Sequence, residues 1–334
     1  MGAFFTPRIT IVTRETRMKG LLKRWSTKGM MGFNFKRNRV ANAVQLGDMA
    51  AAEAAQEADV DSLLMDIESE DETYQGSVAH LNRELDFGMP VHVIDRAYVP
   101  TYDFGLCEAV VVVGQDGLVA NTAKYVGNVP IVAVNPDPAR FDGILLPFQV
   151  HEARGAVSRV LNRQAKTRSV TLAEVTLQDG QRMLAFNDLF IGVKSHVSAR
   201  YQIRVGGREE QQSSSGVLVS TGAGSSGWMS SVFNMAVGVA QSLGVANPAS
   251  LRRQLTWEDP QLLWAVREPF VSRTSGATLI AGVLEAGSAI ELESKTPTDG
   301  VIFSDGIESD FLEFNSGTMA RIGVAAQRAN LVAR

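Results

Sequence analysis

A single cysteine, Cys107, rules out an intrachain disulfide. With no histidine beside it to draw off its proton, it reads as a buried free thiol rather than a nucleophile. Histidine is also scarce: His80, His92, His151 and His196 are scattered, with no His-x-x-x-His or Cys-x-x-Cys spacing, so no intrinsic metal site is legible. No apolar run approaches the ~20 residues that span a bilayer, and the start is too soon followed by a strand to be a secretory signal. A soluble, reducing, cytoplasmic setting without a membrane partner is expected. Basic excess is missing as well. With 32 Lys and Arg against 36 Asp and Glu, the formal charge of −4 argues against a nucleic-acid partner. There is no internal repeat and no low-complexity linker.

What is present is the composition of an ordinary globular protein, and 334 residues suggest two domains. Residues 8–14 read as a first strand, 91–94 as a second, the run from Val110 as a third and 129–134 as a fourth. A helical stretch over 41–71 and other helix-sized intervals separate them. That grammar predicts a doubly wound parallel α/β sheet over residues 1–147, a nucleotide-binding type of domain. The rest of the basic region, from Lys19 to Arg39, reads as a solvated helix face. Arg14, Thr16 and Arg17, which directly follow the first strand, lie instead at the edge where ligands collect.

After Pro147 a helix over 151–164 leads into short alternating strands, 170–177, 182–191 and 201–205, then a helix over 229–243 and further strands over 277–325. Turn signals stand at Gln178 to Gln181, Gly206-Gly207, Asp299-Gly300, Asp305-Gly306 and Ser316-Gly317. This predicts a β-rich, sandwich-like domain over 148–317, and the tail from about 318 to 334 can pack back on the first domain.

Three clusters carry chemistry. In Val110-Val-Val-Val-Gly-Gln-Asp-Gly-Leu118, an apolar strand ends in a glycine-flanked acid, Asp116. Gly114, Gln115 and Gly117 around it form either an anion-approaching turn or an ordinary Asp-Gly turn. In Ser213 to Trp228, the residues Gly222, Gly224 and Gly227 satisfy the dinucleotide pattern G-x-G-x-x-G. The acid that pattern needs ~20 residues later is absent from Gly244 to Ser250, so the hydroxyls of Ser220, Thr221, Ser225 and Ser226 make a polar cradle, cap the following helix, or do both. Asn187-Asp188 interrupts an apolar strand, where adjacent side chains point to opposite faces and at least one needs a buried partner, either a ligand or a core group.

Together these clusters resemble the NAD kinase family. Gly114-Gln-Asp-Gly117 is similar to its Gly-Gly-Asp-Gly motif, Asn187-Asp188 to its Asn-Glu/Asp motif, and Thr221-Gly-Ala-Gly-Ser-Ser-Gly-Trp228 to its Gly/Ser/Thr-rich motif, most like the mitochondrial-type members and their bacterial relatives. Asn135-Pro-Asp-Pro138, Gly143, Arg267 to Phe270, Phe303 to Gly306 and Phe314 to Gly317 extend the likeness in the same order. The resemblance implies transfer of the ATP γ-phosphoryl group to the 2′-hydroxyl of the NAD adenosine ribose, giving NADP, with Mg²⁺ arriving on ATP. It also implies a homodimer. Asp116 would orient or deprotonate the hydroxyl. Asn187 and Asp188 would hold the ribose, and Thr221, Ser226, Gly227 and Trp228 would line the dinucleotide pocket. Gly114, Gln115, Gly117, Arg14 and Thr16 would meet ATP. Gln115 and Leu118 depart from the family's glycine and threonine. They leave open two alternatives: a related kinase of a lipid or sugar hydroxyl, or a catalytically silent nucleotide-binding protein.

Overall fold

A computed structural model describes residues 6–45, 60–245 and 252–334. Four parallel strands, β1 (Arg8–Thr13), β2 (Val91–Asp95), β3 (Cys107–Val113) and β4 (Ile131–Asn135), stand in the order β2-β1-β3-β4, with the short parallel β5 (Phe148–Gln149) on β4. Among the described residues, three helices, α1 (Arg17–Trp25), α2 (Lys28–Gln45) and α3 (Val60–Glu84), lie between β1 and β2. The expected helix over 41–71 therefore belongs partly to α2 and partly to α3, and its middle, 46–59, lies outside the described residues. α4 (Asp116–Ala123) joins β3 to β4, and α5 (Ala153–Leu161) follows β5.

The valine run explains why β3 is central. Ala109, Val111 and Val113 pack under α3 and α5 on one face, while Val110 and Val112 pack under α4 on the other. A strand covered on both faces has no use for polar alternation. Chain order reverses between β1 and β3, which makes the crevice beyond their carboxyl ends the topological switch point of the sheet.

The β-rich half is a sandwich. One layer is an antiparallel sheet ordered β13-β12-β11-β8-β15-β16, comprising β8 (Asp188–Val193), β11 (Val217–Ser220), β12 (Gln261–Val266), β13 (Ala281–Glu285), β15 (Gly300–Ser304) and β16 (Phe311–Glu313). The other layer contains β6 (Thr167–Leu177), β7 (Arg182–Ala185), β9 (Ala199–Val205), β10 (Arg208–Ser214), β14 (Ala289–Ser294) and β17 (Met319–Val332), and it is continuous with the parallel sheet. Inward residues such as Val175, Ile191, Tyr201, Val219, Trp264 and Ile322 fill the space between the layers. α6 (Trp228–Ser242) covers the outer face of the first layer over Leu218, Leu263 and Ala265.

One expected strand is two. Residues 182–191 split into β7, paired with β6, and β8, paired with β11 and β15 in the opposite layer. Phe186 and Asn187 form the crossing, which the apolar residues on either side conceal because both segments face the same core. β17 ties the halves together: residues 319–323 pair with β14, the strand shifts register against β6 between Val324 and Arg328, and Leu331 pairs in parallel with Ile131 of β4. No described helix is long and apolar enough to cross a membrane.

Candidate active site

Asp116 opens α4 at the switch point, half-buried, while Gln115 and Gly117 beside it are exposed. Its Oδ1 accepts the N–H of Leu145 at 2.8 Å, and its other oxygen has no partner among the described residues. The donor comes from a loop shaped by Asn135, whose Nδ2 donates to the Phe141 carbonyl at 2.8 Å and whose Oδ1 accepts from the Asp137 N–H at 3.0 Å. Gly143 turns this loop with φ +62°, where a Cβ would stand 2.8 Å from Asn135 Nδ2. The motif's positions differ in what they demand. Gly114 has φ +156°, and a Cβ there would stand 3.1 Å from Leu118 Cδ2. Gln115 has φ −93°, a conformation any residue adopts, so its side chain fits without strain. Leu118, where the family has threonine, is buried in the core.

Arg14 lies beside this turn. Its Nη2 meets Glu70 Oε1 at 2.9 Å, with the two side chains 10% and 5% exposed, and its guanidinium lies 4.9 Å from the Tyr74 ring. Its Nε is buried without a partner and lies within 3.8 Å of the position a Cβ would take on Gly114. Tyr74 accepts the Arg14 N–H at 2.8 Å and donates to the Val113 carbonyl at 2.9 Å, bridging the ends of β1 and β3; burial pushes its hydroxyl up to about 12. Thr16 is placed differently. It is buried, caps α1 by accepting the Lys19 N–H, and donates to Asp71 at 2.5 Å.

The other wall belongs to the sandwich. Leu118, Val119 and Ala120 of α4 share an apolar cluster with Leu184 and Phe186, and Ala223 packs against it, so the Asp116 helix, the 186–188 crossing and the glycine-rich segment meet at one seam. Thr221 Oγ1 donates to the Phe186 carbonyl at 2.6 Å and its N–H to the Asn187 carbonyl at 2.9 Å. Gly222 and Gly224 are required by close approach: a Cβ would strike the Thr256 carbonyl at the first and the Asn187 carbonyl at the second. Their glycine pattern thus serves backbone crossing. β11 before them is flanked by antiparallel neighbours, which is not the parallel context of a dinucleotide fingerprint.

Asn187 and Asp188 are half-buried. Asp188 Oδ1 is fully buried with no hydrogen-bond partner. Burial pushes its carboxyl up to about 7; the Ser220 hydroxyl pulls it back and the nearby Asp305 adds to the rise. Ser226 and Gly227 are exposed at the start of α6. Trp228 stacks on Phe190 at 5.4 Å, with the Arg267 guanidinium 5.4 Å from the indole, on the outer face of the sheet. Among the described residues no group of three or more His, Cys, Asp or Glu could hold a metal ion. The unpartnered oxygen of Asp116 is a hard donor of the kind Mg²⁺ takes when substrate phosphates supply most of its shell.

Asp305 and Lys124 are additions the sequence did not single out. Asp305 appeared as a turn residue and within the Phe303 to Gly306 segment of the resemblance, without a role of its own, and Lys124 did not appear. The available signal was a lysine closing the uncharged, largely apolar stretch from Leu118 to Ala123.

No family model matches the chain, and no curated protein matches its sequence. Among solved structures, the crystal structure of yeast NADH kinase complexed with NADH aligns with it at a TM-score of 0.55 and 15% identity, over 98% of this chain and 84% of that one. At that identity the likeness is one of fold: an α/β domain with a parallel sheet joined to an antiparallel β-rich domain.

Proposed function

We propose that this protein is an NAD kinase-like phosphotransferase, of the mitochondrial type and its bacterial relatives, that moves the ATP γ-phosphoryl group to the 2′-hydroxyl of the NAD adenosine ribose. The observation that carries this reading is Asp116: a half-exposed carboxylate at the switch point, with one oxygen oriented by the Leu145 N–H and the other unpartnered. In the reaction the 2′-oxygen forms a bond to the γ-phosphorus, the bond from that phosphorus to the β,γ-bridging oxygen breaks, ADP leaves, and the hydroxyl proton passes to Asp116. Such transfer depends mostly on alignment and charge neutralisation, so a lysine or cysteine nucleophile is not needed.

Two unsatisfied atoms support the same assignment from opposite walls. Buried polar groups without partners are rare in folded proteins. Asp188 Oδ1 suits a ribose hydroxyl donor, and Arg14 Nε suits a phosphate oxygen reaching the Gly114 turn. Asn187 would share the ribose, while Thr221, Ser226, Gly227 and Trp228 would border the dinucleotide. ATP would bring Mg²⁺ on its phosphates, beside Gly114, Gln115 and Gly117, which leaves the free oxygen of Asp116 to take the hydroxyl proton. Thr16, engaged by Asp71, would shape rather than touch the phosphate site. The buried Cys107 suits a reducing compartment such as the cytoplasm. A homodimer is the assembly that accompanies this reading, and light scattering tests it.

The test is mass detection of NADP from NAD and ATP, with NADH as a second acceptor. Asp116→Asn is expected to lower kcat by about 10²–10⁴-fold, the usual worth of a general base. Full product formation by this variant removes Asp116 from its role.

A further inference from the structure

The crossing at residues 186–188 is held by a carboxylate from a distant turn. Asp305, at φ +54° just after β15, accepts the N–H of Asn187 at 2.6 Å, of Phe186 at 3.1 Å and of Asp188 at 3.3 Å. In an extended strand successive N–H groups point to opposite sides. Three converging on one acceptor make a backbone concavity of the kind that binds anions, and here the chain supplies its own anion. Thr221 holds the carbonyls of Phe186 and Asn187, so the peptide groups from which Asn187 and Asp188 project are fastened from both sides.

The counter-charge comes from the other lobe. Lys124, the residue that ends α4, places Nζ 3.5 Å from Asp305 Oδ2 and 2.8 Å from Ser304 Oγ, and both charged side chains are 3% exposed. Burial lowers the proton affinity of Lys124, while Asp305 and Asp310 raise it. α4 therefore carries Asp116 at one end and grips the crossing at the other. A buried ion pair adds little stability, yet removing one partner leaves a stranded charge. Such a pair is better suited to setting geometry than to holding the fold together.

We propose that Lys124 and Asp305 are positioning residues for the acceptor. Their ion pair sets the 186–188 segment against the Asp116 helix, so that the ribose held by Asn187 and Asp188 meets the base in register. This rests on the NAD kinase-like reading above.

The experiment compares wild type, Asp305→Asn, Lys124→Met, the double variant and the milder Ser304→Ala. NAD and ATP are titrated separately by calorimetry, and NADP formation is followed in parallel. Misplacement of a bound reactant by an ångström can cost ~10²-fold. The expected result is a rise of about tenfold or more in Kd and KM for NAD in each charge variant, against less than about twofold for ATP. The double variant is expected to lose less than the product of the single losses, because it strands no charge. NAD affinities within twofold of wild type, or equal losses for NAD and ATP that track a lowered melting temperature, overturn the proposal. If the charge variants fail to fold, Ser304→Ala and hydrogen exchange in the wild type decide. The amides of Phe186, Asn187 and Asp188 are expected to exchange slowly without ligand, and fast exchange overturns the proposal. A wild type that makes no NADP defeats the functional reading instead, so the two failures are distinct.

Discussion

At the scale of single residues, Asp188 is the most exposed to a simple physical test. Its native carboxyl titrates near 7, above an ordinary value near 3.8, because burial penalises the charged form. The folded chain therefore keeps a proton that the unfolded chain releases between about pH 4 and pH 7. The stability tied to that proton is complete below the lower value and is lost as pH rises through the upper one. Asp188→Asn carries no charge at any pH, so it should match wild type near pH 4 and exceed it at pH 8 by about 2–4 kcal/mol, the cost of ionising a buried carboxyl that the amide avoids. Thermal melts at the two pH values check this, and a variant less stable at pH 8 contradicts it. The same side chain was legible in the sequence as a polar interruption of an apolar run. That Oδ1 has no protein partner was not legible, since it depends on Ser220 and Asp305, which lie 32 and 117 positions away. Gln115 shows the converse: a departure from a glycine motif that looked disruptive in sequence sits at backbone angles open to any residue.

At the scale of elements, the glycines of the segment before α6 divide by what lies against them. Gly222→Ala and Gly224→Ala drive a Cβ into the backbone carbonyls of Thr256 and Asn187, which cannot turn aside. Each should cost about 3 kcal/mol or more, at the upper end of overpacking effects. At Gly227 the nearest atom to a Cβ is 3.4 Å away, an ordinary contact, so Gly227→Ala should change stability by less than about 1 kcal/mol. Urea midpoints measure all three, and equal losses would mean that close approach is not what these positions require. The pattern G-x-G-x-x-G was visible from the sequence, as was its unsuitability for a dinucleotide fold. What it does instead was hidden, because the backbones it admits belong to Asn187 and Thr256 rather than to its own neighbours. The splitting of residues 182–191 into β7 and β8 escaped for a related reason. A period-2 pattern records which side faces the core, and in a sandwich both layers face the same core.

At the scale of the whole molecule, β17 makes the two lobes hard to separate. It is one strand of the sandwich at Met319–Gly323 and a neighbour of β4 at Leu331, and the apolar cluster containing Leu118 also contains Phe186, Ala325 and Ala329. Calorimetry should therefore show one unfolding transition, and two separable transitions would contradict it. NAD at ~100 times its dissociation constant should stabilise the chain by about 2.7 kcal/mol. A shift with ATP alone would transfer the reading to another acceptor hydroxyl. The sequence by itself determined the parallel strands, the β-rich second half and an acid on a glycine turn, because valine runs, alternation and turn residues act over a few positions. Only the tertiary structure decided where the chain changes layers, which carboxylate the crossing's N–H groups share, and which buried atoms keep no partner. Strand pairing and desolvation are set by groups brought together from about thirty to more than a hundred residues apart.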